Sequence, residues 1–472
     1  MAGLIAARDT AAGADLVELR LDGVAAPDVA GALAGRRTPV IVTCRPQWEG
    51  GRFDGSEEER RTLLQQALSL GAEFVDVEWR AGFRDALVAQ DPSRIVVSSH
   101  DFEGVPDDLT SRAQAMRTSR AGTIKIAVRT RRLTETLRLR EIADAGDAVV
   151  IGMGEAGIVT RLLAERFGSK WTYAGQAVAP GQIPASRMTG EFRYHDVRRT
   201  TSVYGVVSPH ALHSLSPAMH NAAFRDAGVD AVYVPLAAAD FDDFVTFAEA
   251  FGVAGASVTI PFKLDALAAA ATADARTRAV GAANTLRRCE GEWAATNTDV
   301  DGFLAPLSEA FGAPLREARA AVLGAGGAAR AVIVALRDEG ARVTVHARRA
   351  GQAADVAAAT GVSSGVWPPT AGSWDLLVNT TPLGGTTRRD ESPLPGGPFG
   401  GRLVYDLTYG AGESRLLREA RAAGCRTLDG LPMLVAQAER QFAWWTGRRP
   451  RDGVMRAAAE SAGRASVTGL GR

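Results

Sequence analysis

The sequence predicts an α/β chain: an N-terminal (β/α) barrel, then a two-lobed α/β unit of which one lobe is a Rossmann dinucleotide-binding lobe. Three observations carry this prediction. In the first half of the 472 residues, short apolar runs alternate with helix-like segments, the pattern of a parallel sheet with helical crossovers. A second strand, loop and helix series starts near Ser202, after the polar, basic stretch EFRYHDVRRTT at 191–201, which reads as a join between units. A complete strand, glycine turn, helix and strand then lies at residues 319–349, a dinucleotide fingerprint.

At about 150 residues per domain, the length allows three compact bodies. The expected boundaries are 1–195 for the barrel, 202–310 completed by 430–465 for a substrate-binding lobe, and 315–430 for the Rossmann lobe. The 54 basic and 54 acidic residues balance, which argues against nucleic acid or an anionic membrane and leaves small molecules as partners. Cys44, Cys289 and Cys425 are odd in number, far apart and without metal-ligand spacing, so a reducing compartment is expected and no metal. Charge at Arg8 and Asp9, and the lack of a long apolar run, exclude a signal-peptide core and a spanning helix. A cytoplasmic enzyme is the expectation.

Only three of the 54 basic residues are lysine: Lys125, Lys170 and Lys263. Arginine stays protonated in proteins, whereas a buried lysine can lose its proton. A lysine retained inside the apolar run GTIKIAV is therefore a candidate nucleophile.

The barrel runs are DLVELRLD, PVIVTCRP, FVDVEWR, RIVVSSHDF, GTIKIAV, AVVIGMG and YAGQAV. Their spacing places an active site at the C-terminal strand ends. Period two sets Glu18, Arg20 and Asp22 on one face, and likewise Thr43 with Arg45, Asp76 with Glu78, Ser98 with His100, and Lys125 with Ala127. Any one of these alone reads as a solvated strand end or a core ion pair. Five strands sending polar groups into one volume read as a site. There Lys125, crowded by Arg20 and Arg45, is expected to have a lowered pKa and to form a Schiff base with a carbonyl substrate. His100 suits proton transfer, with Glu78 orienting it or sharing its work. A helix starting near Gly157 and carrying Arg161 suggests a carboxylate-binding end.

Through ELRLD, TCRPQWEGG, DVE, SSHDF, KIAV, MGEAGIVTR and APGQI, in that order, residues 13–190 resemble type I 3-dehydroquinate dehydratase. The resemblance implies that Lys125 forms the imine, His100 is the general acid/base and Glu78 assists it, while Glu18, Arg20, Arg45, Arg161 and Gln182 hold the substrate. Two departures stand out. The chain begins at the helix that follows the family's first strand, so seven strands are counted where eight are expected. Val178 replaces a serine that often contacts substrate, a loss of about 1 kcal/mol.

In the second half, SLSP places Ser214 and Ser216 at a helix start, where they suit an anion, although such a motif is ordinarily a cap before proline. Lys263 follows TIPF at the head of a helix, and with Asp299 it can supply the proton that accompanies hydride transfer. His195 reads as an exposed linker histidine, and Lys170 lies off these constellations. The turn Gly324, Ala325, Gly326, Gly327, with Ala328 after it, lets a pyrophosphate approach the helix amides. Arg348 and Arg349 stand where NAD sites carry an acidic residue, which points to the 2′-phosphate of NADP.

Residues 202–450 resemble shikimate dehydrogenase through SLSPAMHN, SVTIPFK, GAANTL, NTDVDGF, GAGGAARA, NTTPLG, YDLTY and DGLPMLVAQA. The resemblance implies that Lys263 and Asp299 are catalytic, that Ser214, Ser216, Thr259, Asn284, Tyr409 and Gln437 contact substrate, and that Leu407 and Gly430 approach the nicotinamide. ARR replaces the family's NRT, and Ser257 replaces a frequent asparagine. The product of the first reaction is the substrate of the second, so a fused dehydratase and dehydrogenase is expected. The alternatives are a quinate dehydrogenase in the second half and a weakened or regulatory barrel in the first.

Overall fold

Six parallel strands form from the apolar runs of the first half in a computed structural model that describes residues 1–11, 13–175, 182–385, 388–410 and 412–469. They are β1 (Val17–Arg20), β2 (Val40–Thr43), β3 (Phe74–Glu78), β4 (Ile95–Asp101), β5 (Thr123–Arg129) and β6 (Ala148–Met153), paired in sequence order. Strands β2 and β6 are buried throughout, as expected for a sheet covered on both faces and rich in valine and isoleucine. The register sets Arg20 beside Thr43, Thr43 beside Asp76, Glu78 beside Ser98 and Ser98 beside Lys125. The polar face thus converges as period two predicts.

The expectation of seven strands is corrected: six occur among the described residues. Tyr173–Gly175 of the run YAGQAV is not strand, and its remainder, including Val178, lies outside the described residues. Trp171 and Tyr173 instead pack against Ala127, Val149, Ile151 and Met153, so this segment is held by its rings. Among the crossover helices, Glu57–Ser69 opens with a capping box between Ser56 and Glu59 and with acidic residues in its first turn, both favourable at a helix N-terminus. It buries Arg60, Leu64, Ala67 and Leu68.

The chain divides into two compact units, Met1–Thr201 with Val234–Phe251, and Ser202–Tyr233 with Gly252–Arg472. In the first unit the buried Asp243 accepts from the amides of Leu133 (2.9 Å) and Thr134 (3.0 Å), just before the helix Glu135–Ala143. These amides have no partner within that helix, so the carboxylate caps it from outside.

Two six-stranded sheets follow. The mixed sheet has the order β10-β12-β11-β9-β7-β8, with β7 (Ser202–Ser208), β8 (Ala231–Ala237), β9 (Val253–Val258), β10 (Thr272–Ala273), β11 (Thr285–Cys289) and β12 (Glu292–Thr296). The parallel sheet has the order β15-β14-β13-β16-β17-β18, with β13 (Arg319–Leu323), β14 (Arg342–His346), β15 (Ser363–Gly365), β16 (Leu376–Asn379), β17 (Leu403–Asp406) and β18 (Arg426–Leu428). Counted from β13 this is the Rossmann order, and it reverses between β13 and β16, where such folds bind ligands. The helices Asp299–Phe311 and Leu431–Thr446 approach closely at Gly302, where a Cβ would lie 2.7 Å from that of Gln437.

Candidate active sites

In the first unit a chain of charged side chains crosses the polar face of the sheet. Lys125 Nζ donates to Asp76 (3.1 Å) and lies 3.7 Å from Glu18, which accepts from the Thr43 hydroxyl. Arg45 contacts Asp76 at 3.0 Å and donates to Glu78 and Ser98, both at 2.7 Å. Glu78 also binds Arg60. The Lys125 ammonium sits 4.2 Å from the centre of the Tyr173 ring. Arg161 is 2% exposed and donates a long hydrogen bond to the Tyr173 carbonyl (3.3 Å). Among the described residues no carboxylate pairs with it, so a buried cation is left to receive one. Arg20 is held by both oxygens of Asp22 at 2.8 Å, at the more exposed edge. Gln182 lies against Gly175.

Two sequence expectations are corrected here. The Lys125 pKa is raised, not lowered. Burial disfavours the ammonium, but Tyr173, Asp76 and Glu18 outweigh it. Asp76 is correspondingly held far below the usual carboxylate range: burial opposes its charge, while Arg45 and Lys125 override it. The second correction concerns Glu78. Its contacts are Arg45 and Arg60, and the carboxylate at His100 is Glu49, which accepts from the His100 amide (2.7 Å) and lies 3.4 Å from Nδ1. Period two could not reach Glu49, because it lies past the end of β2 in a short helical turn. The signal was the paired glycine in TCRPQWEGG: Gly50 has φ +76°, and a Cβ on Gly51 would meet the Arg45 carbonyl at 2.0 Å. The loop folds back on itself and carries Glu49 with it. Burial, then Arg45 and Lys125, keep the His100 pKa well below its usual value, so the imidazole is neutral and able to accept a proton.

In the second unit Lys263, at the start of the helix Lys263–Ala268, donates to Asp299 at 2.5 Å. Asn284 donates to the other Asp299 oxygen (2.8 Å) and lies 3.4 Å from Gln437. The pair is thus fixed by a buried amide. Ser214 accepts from the Ser216 amide at 3.1 Å, and Ser216 is buried. Ser257 donates to Gln441 (2.7 Å), which donates on to Thr285 (3.0 Å). Gln441 was not a sequence candidate; its signal was its position four residues, about one turn, after Gln437. Thr259 stays exposed beyond β9, and Tyr409 is half-buried beyond β17. A cavity of about 300 Å³ opens beside Tyr409, lined by Leu215, Arg389, Thr408 and Asp429 among others.

The glycine turn meets a dinucleotide's needs. Gly324 has φ +114°, and a Cβ there would meet the Thr380 hydroxyl at 2.5 Å, whereas the space above Gly326 is open. The helix Gly327–Asp338 points its free amides into that opening, with Ala325 and Ala328 half-buried beside it. Arg348 and Arg349 are exposed after β14. Gly430 packs on Leu407, where a Cβ would lie 2.2 Å from the carbonyl oxygen.

A buried lysine among carboxylates beside a neutral histidine suits a lyase, and the Rossmann sheet with its lysine and aspartate pair suits a nicotinamide-dependent oxidoreductase. Residues 3–197 match the model of type I 3-dehydroquinase, 206–286 that of the shikimate dehydrogenase substrate binding domain, and 430–460 that of the shikimate 5′-dehydrogenase C-terminal domain. The chain is 31% identical, over 92% of its length and 78% of the relative, to the chloroplastic bifunctional 3-dehydroquinate dehydratase/shikimate dehydrogenase of Arabidopsis thaliana. It is 41% identical to the shikimate dehydrogenase (NADP(+)) of Oleidesulfovibrio alaskensis, over 52% of this chain and 90% of that one. The Thermus thermophilus shikimate 5-dehydrogenase solved with NADP(H) and shikimate superposes with a TM-score of 0.50 at 36% identity, covering 55% of this chain and 99% of that one. The chain belongs to the bifunctional 3-dehydroquinate dehydratase/shikimate dehydrogenase family, a lyase joined to an NADP-dependent oxidoreductase. No helix among the described residues is long and apolar enough to cross a membrane.

Proposed function

We propose that Lys125 is the imine nucleophile of the dehydratase, His100 its general acid/base and Glu49 the carboxylate that orients His100. The observation that carries this reading is the buried Lys125 amine among Asp76, Glu18 and the Tyr173 ring. The amine adds to the ketone of 3-dehydroquinate and expels water, giving a protonated imine that draws electrons from the adjacent carbon. Neutral His100 takes the proton from that carbon and returns one to the departing hydroxyl, which leaves as water. Hydrolysis of the imine then frees 3-dehydroshikimate and restores Lys125. Arg161 pairs with the substrate carboxylate, while Glu18, Arg20, Arg45 and Gln182 line the pocket. Glu78 holds Arg45.

In the dehydrogenase, Lys263 and Asp299 hold and deliver the proton that joins the reduced carbonyl oxygen, and Asn284 keeps Asp299 aligned. Ser214, Ser216, Thr259, Tyr409 and Gln437 bind the substrate's carboxylate and hydroxyls. NADPH, when bound, supplies the hydride. Gly324, Ala325, Gly326, Gly327 and Ala328 cradle its pyrophosphate, Arg348 and Arg349 take the 2′-phosphate, and Leu407 and Gly430 flank the nicotinamide. The free thiols Cys44, Cys289 and Cys425 suit a reducing compartment such as the cytoplasm.

The test is one reaction of the purified chain with 3-dehydroquinate and NADPH, with products identified by mass spectrometry. Shikimate is the expected product, and borohydride added with 3-dehydroquinate alone is expected to add mass at Lys125. Quinate as the product, or no label on Lys125, would overturn the assignment of the corresponding half.

A further inference from the structure

The ion pairs of the first unit form one continuous chain. Glu57, half-exposed on the helix Glu57–Ser69, grips Arg60 with both oxygens at 2.9 and 2.7 Å. The Arg60 side chain is wholly buried, lies against the rings of Phe83 (4.8 Å) and Trp48 (5.7 Å), and meets Glu78. Glu78 meets Arg45, Arg45 meets Asp76, and Asp76 meets Lys125. A buried arginine on a covering helix carries a desolvation cost that apolar packing would avoid. Leu64, Ala67 and Leu68 of the same helix face inward without such a cost.

We infer that Arg60 and Glu78 are positioning residues of the dehydratase: Arg60 holds the Glu78 carboxylate, and Glu78 in turn fixes the Arg45 guanidinium against Asp76 and so aligns Lys125. This rests on the dehydratase reading above. Neither residue touches the reacting volume directly. Arg45 is in reach of substrate only if its guanidinium stays in the plane set by Glu78, Ser98 and Asp76, all within 3.0 Å. Bidentate and forked pairs of this kind fix orientation as well as charge, and small misplacements of such groups cost large factors in rate.

The surroundings of Glu78 make the chain sensitive to protons. Cys44, Arg45 and Glu49 face it from the segment that follows β2, Arg60 from the helix, Asp76 from its own strand, and Ser98 from β4. Burial raises the Glu78 pKa, and Arg45 and Arg60 are the groups that hold it down. Without Arg60 the carboxylate takes up its proton at higher pH and lets Arg45 go.

The experiment is a double-mutant cycle of R60M and E78Q in the full chain, with dehydratase kcat and kcat/KM measured from pH 6 to 9. Each single variant is expected to lose on the order of tenfold to a hundredfold in kcat at pH 7. The R60M loss is expected to be largest at pH 6 and to shrink as pH rises. In the E78Q background R60M is expected to cost less than about threefold, because the group it acts through is gone. An equal loss in both backgrounds, or a loss flat across pH, is what simple helix packing would give and overturns the proposal. Should R60M fail to accumulate, E78Q decides: wild-type kcat overturns the proposal, and a tenfold loss in a chain still folded at the assay temperature supports it. Borohydride labelling of the unmutated chain separates the two readings, since absence of label on Lys125 there removes the dehydratase assignment itself.

Discussion

Lys125 and Lys263 both face an aspartate, yet their tasks differ. Lys263 lies 2.5 Å from Asp299 and in the proposed reduction passes a proton. Lys125 lies 3.1 Å from Asp76 and in the proposed dehydration loses one before it attacks. Because Tyr173, Asp76 and Glu18 hold the ammonium against the pull of burial, the neutral amine is scarce in the free enzyme, and kcat/KM is expected to climb with pH on the alkaline side. Asp76→Asn removes one of those holds. The rising limb of the kcat/KM profile is expected to move about one to two pH units toward acid, and a pH-rate series with 3-dehydroquinate checks it. The same substitution leaves Arg45 short of a partner, a loss of about 3–5 kcal/mol for a broken buried pair, readable by denaturant unfolding. Asp76 is depressed below its unfolded value of 3.8. Its stabilisation is therefore fully present above that value and is lost as pH falls through the folded pKa.

At the scale of elements, turns decide more than strands. The strands of the first unit merely present Thr43, Asp76, Ser98 and Lys125 at neighbouring register positions. It is the turn Gln47–Glu49, closed by Gly50 and Gly51, that brings a carboxylate back to His100. In the second unit Gly430 opens the helix Leu431–Thr446 beneath Leu407. Its φ of −80° is ordinary, so its need for glycine is purely spatial. Gly430→Ala would press a methyl on the Leu407 and Thr408 carbonyls, at a cost of about 1–3 kcal/mol. The expected outcome is at least a tenfold fall in dehydrogenase kcat/KM for NADPH with dehydratase activity unchanged. An unaltered NADPH dependence in steady-state assays would show that the backbone there yields without harm.

For the whole molecule, two lysines in separate units, one on a strand and one at a helix start, predict two separable reactions. Lys125→Arg is expected to lower dehydration by at least about a thousandfold while leaving reduction of 3-dehydroshikimate intact, since arginine cannot form an imine. Lys263→Arg is expected to do the converse, so that 3-dehydroshikimate accumulates from 3-dehydroquinate in the presence of NADPH, as followed by mass spectrometry. Retained dehydration in the first variant would sink the nucleophile assignment. The sequence by itself determined the elements and motif positions that make these variants choosable. Period two placed the five polar strand ends on one face, the turn at Gly324 announced the dinucleotide lobe, and the scarcity of lysine marked Lys125 and Lys263. Those signals are local, because backbone alternation and glycine's conformational freedom act over a few residues. Only the tertiary structure decided that Glu49 rather than Glu78 attends His100, that Arg60 reaches Glu78 from a helix, and that Lys125 rests as an ammonium. Pairing and charge state depend on which groups distant strands and loops bring within a few ångströms, and on how much water burial removes, and neither is written in spacing along the chain.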